Sequence, residues 1–209
     1  MRTTEFDSSS EDEELDEGQL TPLHISWLPL SIVECSQYLG ICALPGCKFK
    51  DVRRSLQRDV DELKNQGVQD LFVLCTRGEL HIYRVPTLLE VYEQQGFTVH
   101  HTPFPDGDVP DLEQCCQILM ELQRCLESNR RTVIHCYGGL GRSAFIAACL
   151  LLQLSSTLTA NQAIEFLREH RGGSAIQTVK QYNFLHEFRE KYAAYNETRE
   201  APNGRSLSL

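Results

Sequence analysis

The sequence has no long apolar run, no Cys-x-x-Cys pair and no basic stretch, and each absence removes a class of function. The longest apolar run, residues 144–152, is nine residues. A bilayer needs about 20, so no membrane span is expected. Small zinc modules hold their metal with closely spaced cysteine pairs. Without such a pair, no structural zinc, and no metal or other cofactor, is expected. Nucleic acid and anionic lipid call for a basic field. The formal net charge is −9, of which residues 1–19 hold −7, leaving −2 for residues 20–209. No nucleic-acid or membrane partner is therefore expected. The N-terminus is acidic and polar, unlike an export signal. This points to the cytoplasm, with perinuclear or nuclear access, and to nine cysteines kept as reduced thiols.

What is present suits one globular domain. Of 209 residues, 41% are hydrophobic, enough for a sizeable core. Residues 1–19 read as a disordered acidic tail, 20–195 as the folded domain and 196–209 as a frayed end. Apolar runs predict strands over 23–28, 38–44, 68–75, 97–102 and 132–136. Helical periodicity predicts helices over 51–65, 86–95, 111–128, 141–154, 159–169 and 178–195, with Asp111 as an N-cap. Strands alternate with helices, and then helices dominate. That order predicts an α/β fold with a central, mostly parallel sheet flanked by helices. Ligands in such folds bind beyond the carboxyl ends of the strands. Cys75, the loop 103–110 and Cys136 all follow strands there.

Cys-x5-Arg occurs three times, as Cys47/Arg53, Cys125/Arg131 and Cys136/Arg142, so the spacing alone identifies nothing. Composition separates the three. No glycine lies between the members of the first two pairs. Between Cys136 and Arg142 lie Tyr137, Gly138, Gly139, Leu140 and Gly141, after an apolar strand and before an apolar helix. Glycines let the backbone turn its N–H groups inward, and a helix N-terminus adds its own N–H groups and dipole. Residues 137–142 therefore form a candidate phosphate cradle, with Arg142 as a bidentate clamp. The same field favours a Cys136 thiolate over the thiol, which makes Cys136 the candidate nucleophile. Ser143 is placed to donate a hydrogen bond to that thiolate, and His135 to order the loop.

Thiolate attack on a phosphoester needs an acid for the leaving oxygen and a base for water. The loop from Phe104 to Asp111 offers Asp106, Asp108 and Asp111. Asp111 is better explained as a helix cap. Asp106, between Pro105 and Gly107, is the first candidate, and Asp108 is the alternative. Gln177, where a helix begins, is either a water-positioning amide or an exposed polar residue beside a cap. Arg77, Glu79 and His81 read as a solvated turn or a protein-docking rim. No aromatic loop for deep phosphotyrosine binding is recognised.

The segment HCYGGLGRS over 135–143 resembles the signature loop of the protein tyrosine and dual-specificity phosphatases. With ISWL (25–28), CALPGCKFKDVRR (42–54), CTRGEL (75–80) and AIQT (175–178), the chain is similar over residues 20–192 to the kinase-associated branch of the dual-specificity phosphatases. The resemblance implies a protein tyrosine phosphatase-like domain working without metal through a phosphocysteine. It implies a phosphorylated cyclin-dependent kinase as partner, an activation-segment phosphothreonine as substrate and a role in the cell cycle. It assigns Cys136 as nucleophile, Arg142 as phosphate clamp, Asp106 as general acid and Gln177 as the water-positioning amide. One departure stands out: the branch carries two glycines after the acid, whereas here Asp108 follows Gly107 and competes for the acid role. A monomer is expected. The rival classes are a phosphoinositide phosphatase, which would want lysines in the loop, a sulfurtransferase or arsenate reductase, and a non-catalytic phosphothreonine- or kinase-binding module.

Overall fold

The computed structural model describes residues 19–200. Apart from Gln19, the acidic stretch 1–19 lies outside the described residues, as does the chain after Glu200. Five strands form one sheet: β1 (Ser26–Pro29), β2 (Tyr38–Cys42), β3 (Asp70–Val73), β4 (Thr98–His101) and β5 (Thr132–His135), in the order β1-β2-β5-β3-β4. Only β1 runs antiparallel to its neighbour; β2, β5, β3 and β4 are parallel. The expected α/β sheet is present. β5 sits at its centre and is buried at all four positions, as a strand covered on both faces must be.

Among the described residues, seven α-helices and one 3-10 helix (Leu30–Val33) surround the sheet, the α-helices being α1 (Leu56–Asn65), α2 (Arg77–Ile82), α3 (Leu88–Gln94), α4 (Leu112–Glu127), α5 (Arg142–Leu154), α6 (Ala160–Arg171) and α7 (Val179–Glu200). α5 is buried without a break from Arg142 to Leu152. It packs against β2, β5, α4, α6 and α7, which accounts for its apolar character all round. Among the described residues, no helix is long and apolar enough to cross a membrane. All nine cysteines are free.

Local chemistry sets the helix starts. Asp111 caps α4 by accepting the Gln114 N–H at 2.7 Å, as expected. Ser55 caps α1, so that helix begins at Leu56 and not near residue 51. The Arg53 carbonyl already accepts from Thr21 N–H, and the Arg54 N–H bonds Cys47, so these residues cannot join a helical ladder. α2 was not expected as a helix. Thr76 accepts the Glu79 N–H while the Glu79 carboxylate accepts the Thr76 N–H. That reciprocal pairing turns the expected solvated turn into a helix start. At the other end, α7 continues through residues 196–200, where the sequence predicts a frayed end. Thr198 Oγ1 donates to the Tyr195 carbonyl, and Arg199 lies over the Tyr195 ring, so the last turn makes its own contacts.

Candidate active site

The loop after β5 is turned inside out relative to an ordinary turn. The Tyr137 carbonyl accepts from Leu44 N–H at 2.9 Å, and the Leu140 carbonyl from Ile176 N–H at 2.9 Å. The Gly138 and Gly139 carbonyls both accept from the Arg171 guanidinium, at 3.0 and 3.3 Å. Four successive carbonyls are thus bound from outside the loop, which leaves its N–H groups for the inside. The Gly139 N–H already donates to Cys136 Sγ at 3.3 Å. Glycine is required here: Gly139 has φ +71°, and a Cβ on it would lie 2.6 Å from the Cys42 carbonyl. The loop runs into α5, whose N-cap Gly141 offers no side-chain acceptor. The first N–H groups of that helix therefore remain free for an anion.

Cys136 is 3% exposed at the base of this loop. Two other cysteines lie beside it. Burial pushes the Cys42 thiol up to about 12 and raises Cys75 further, so both stay protonated. His135 is fully buried, and its Nε2 meets the Tyr92 hydroxyl at 2.8 Å. Burial pushes its pKa down to about 3, so the ring is a neutral strut under the loop. The Ser143 hydroxyl is buried without a hydrogen-bond partner among the described residues. The expected bond to Cys136 is not made in this state, and the hydroxyl is a donor held in reserve.

Arg142 departs most from expectation. One edge of its fork is bidentate to Glu79, with Nη1 to Oε2 at 2.9 Å and Nη2 to Oε1 at 2.7 Å. Nη1 also donates to the Leu74 and Phe104 carbonyls. Nε makes no hydrogen bond; it faces Asp106 Oδ1 at 3.5 Å and is the N–H left for a substrate oxygen. Burial works to raise the Glu79 pKa, but hydrogen bonds from Arg142 and Thr76 outweigh it and hold the carboxyl below its usual range. Burial likewise works against the Arg142 charge, and the Glu79 hydrogen bonds more than offset it. Glu79 is thus neither a turn residue nor a docking-rim residue. Its signal in the sequence was Thr76-x-x-Glu79, a capping box that places the carboxylate on the first turn of a helix.

The acid loop lies over this pair. Asp106 is exposed at 59% of its side chain and close to Arg142. Asp108 is held elsewhere: its Oδ1 accepts from Lys180 Nζ at 2.9 Å and from its own neighbour Val109 N–H at 2.8 Å. The Lys180 bond and the Val109 bond hold its pKa below the carboxylate range, the opposite of what a proton donor needs. The extra carboxylate is thus engaged by Lys180, while Asp106 is the one beside Arg142. The loop is pinned to the start of α7 by Thr178 Oγ1 donating to the Gly107 carbonyl and by Gln181 Nε2 donating to the Asp108 carbonyl.

Gln177 is exposed but belongs to the site. A Cβ on Gly141 would lie 2.8 Å from Gln177 Oε1, so the amide sits against the phosphate loop. The backbone turns it there at Ile176, a β-branched residue at φ 62°, a rare conformation for such a side chain. Arg171 was not singled out from the sequence. Its third contact is Ser26 Oγ at 3.0 Å, and no carboxylate pairs with it among the described residues. A rim of aromatic rings was also not foreseen: Tyr83 stacks on Tyr137 at 4.5 Å, and Phe49 meets both edge-on. Tyr137 therefore serves the rim through its ring and the cradle through its backbone.

A thiol under a ring of inward N–H groups, with a clamped arginine and a carboxylic acid above it, defines a cysteine-dependent phosphatase of the protein tyrosine phosphatase class. The chain matches the family model described as Cyclin-dependent kinase inhibitor 3 (CDKN3) over residues 1–164, and it belongs to that family. It is 60% identical over 208 residues to the Cyclin-dependent kinase inhibitor 3 of Homo sapiens, covering 100% of this chain and 97% of that one. It is 62% identical over 201 residues to the protein of the same name from Sus scrofa, covering 96% and 94%. Its structure is similar to the crystal structure of a kinase associated phosphatase whose catalytic-site cysteine is replaced by serine. The TM-score is 0.81 and the identity 63%, with 83% of this chain and 98% of that chain covered.

Proposed function

We propose that this phosphatase acts on a phosphorylated cyclin-dependent kinase, removing the phosphate from a threonine of its activation segment. Family membership and the likeness to a kinase associated phosphatase support the kinase as substrate. The observation that carries the chemistry is the outward binding of the four carbonyls from Tyr137 to Leu140, because it commits the loop's N–H groups to an anion.

In this reading, the phosphate enters the loop, and its non-bridging oxygens take hydrogen bonds from the loop N–H groups and from Arg142. The Cys136 thiolate attacks phosphorus and the bond to the threonine oxygen breaks. Asp106 gives that oxygen its proton, leaving a phosphocysteine. Asp106, now a carboxylate, takes a proton from a water held by Gln177, and that water attacks phosphorus. The thiolate departs towards the Ser143 hydroxyl, the free donor, and inorganic phosphate leaves. A cytoplasmic location with nuclear access completes the reading, and imaging of a tagged chain tests it.

The test is phosphate release from a threonine-phosphorylated cyclin-dependent kinase. Cys136→Ser should release none yet retain the phosphorylated kinase, and the unphosphorylated kinase should be held less tightly. Normal turnover by Cys136→Ser would sink the mechanism.

A further inference from the structure

Towards the opposite end of the strands from the phosphate loop, Asp70, His100 and Cys125 bring one ligand atom each to within 4.8 Å of one another. They come from β3, β4 and α4 and lie 30 and 25 residues apart in sequence, so no short motif announces them. Asp70 Oδ1 is 2.9 Å from His100 Nε2, and Cys125 Sγ is 3.9 Å from the same nitrogen. The other ring nitrogen, Nδ1, meets Glu121 Oε2 at 3.2 Å. The remaining oxygen of Asp70 is held by Arg130 Nε. Phe72 stacks on the imidazole at 4.1 Å and fixes its plane.

We propose that Asp70, His100 and Cys125 bind one zinc ion. A neutral imidazole carries one N–H, yet both nitrogens of His100 face a carboxylate oxygen. In the tautomer that donates from Nδ1 to Glu121, Nε2 presents a lone pair on the side of Asp70 and Cys125, as a ligating histidine does. A carboxylate behind a ligating histidine is the outer contact that metal-binding histidines ordinarily have, and Arg130 gives Asp70 the equivalent support. Zinc accepts nitrogen, oxygen and sulfur at about 2.0–2.3 Å, which separates tetrahedral ligand atoms by roughly 3.3–3.6 Å. The Asp70–His100 pair would open by a few tenths of an ångström and Cys125 would close in. The thiol excludes calcium and magnesium, which prefer oxygen. On binding, Cys125 gives up its proton to solvent. Three protein ligands leave a fourth position for water. The ion would tie β3, β4 and α4 together.

The test uses the full chain carrying Cys136→Ser, so that the catalytic thiol cannot supply the ligand. After chelator treatment it is titrated with Co²⁺ as a spectroscopic stand-in and with Zn²⁺. One equivalent of Co²⁺ should bring tetrahedral visible bands and a thiolate charge-transfer band, and Zn²⁺ should raise Tm. Adding Cys125→Ser should abolish the charge-transfer band. Adding Glu121→Gln, which leaves all three ligands in place, should weaken Co²⁺ binding by about 10–100-fold. Absence of stoichiometric binding overturns the site. A charge-transfer band that survives Cys125→Ser also overturns it. Should the Cys125→Ser protein not fold, unchanged affinity in Glu121→Gln does the same.

Discussion

Glu79 grips Arg142 through both carboxylate oxygens, at 2.9 and 2.7 Å, across 63 residues of chain. A guanidinium offers a planar fork, and pairing one edge to a carboxylate fixes how the rest of the group meets the phosphate. Glu79→Gln keeps the capping box, because glutamine serves at that position, but removes the charge and one acceptor. A misplacement of about 1 Å near the reacting atoms can cost about 10²-fold. Glu79→Gln should therefore lower kcat/KM by about that factor with α2 intact by circular dichroism. Activity within twofold of the original would show that Arg142 needs no such anchor.

The two carboxylates of the acid loop make opposite predictions. General acid catalysis contributes about 10²–10⁴-fold. Asp106→Asn should lower kcat by an amount in that range on a phosphothreonine protein while leaving binding intact. It should matter much less for an aryl phosphate whose leaving group needs no proton. Asp108→Asn loses its ion pair with Lys180 and should leave kcat near the original on both substrates. Stopped turnover in Asp108→Asn with activity preserved in Asp106→Asn would reverse the assignment.

The legible parts of this site are those built from neighbours in sequence. Cys136, its glycines and Arg142 lie within one strand–loop–helix unit, and Asp111 needs only Gln114 to act as a cap. The parts that stayed hidden are long-range. Lys180 neutralises Asp108 from 72 residues away, so sequence alone left the two acids in competition. Arg171 reaches the loop carbonyls from more than 30 residues away, at the end of an amphipathic helix where a basic residue looks ordinary. Residues 51–54 match a helical pattern, but their backbone groups bond elsewhere. Glu79 was within reach, since its capping box is local, but its partner Arg142 was not.

Arg171 is half-buried behind the phosphate loop with two carbonyls, one hydroxyl and, among the described residues, no carboxylate as partners. Burial pulls its pKa down, and Cys42 and Cys136 partly oppose that. A cation so placed gains a further anion when phosphate fills the loop. Hydrogen bonds from a charged group are worth about 1.5–3 kcal/mol. Arg171→Met should weaken competitive inhibition by inorganic phosphate by about 10–100-fold. Arg171→Lys, which keeps the charge but not the fork, should recover part of that loss. A lower Tm with an unchanged inhibition constant in both variants would reduce Arg171 to a packing role.

Asp59 stores a pH dependence that the reaction does not use. It is 4% exposed, and its Oδ2 accepts the Gly46 N–H at 2.8 Å. Burial, only partly offset by that bond and by Arg54, raises its pKa from 3.8 to about 6. A raised carboxyl pKa favours the folded state while the group is protonated. The contribution is complete below the unfolded value and is lost as pH rises through about 6. At about 1.4 kcal/mol per unit, the loss is on the order of 3 kcal/mol. His135 works in the other sense: its pKa is depressed to about 3, so its contribution is lost as pH falls below the unfolded histidine value. The two are separated by comparing Asp59→Asn with the original chain, since His135 acts equally in both. Asparagine can still accept the Gly46 N–H but cannot ionise. Urea denaturation should find the variant no more stable at pH 4, and more stable by one to a few kcal/mol at pH 8. A stability difference that does not change between those pH values would mean that folding does not raise the Asp59 pKa.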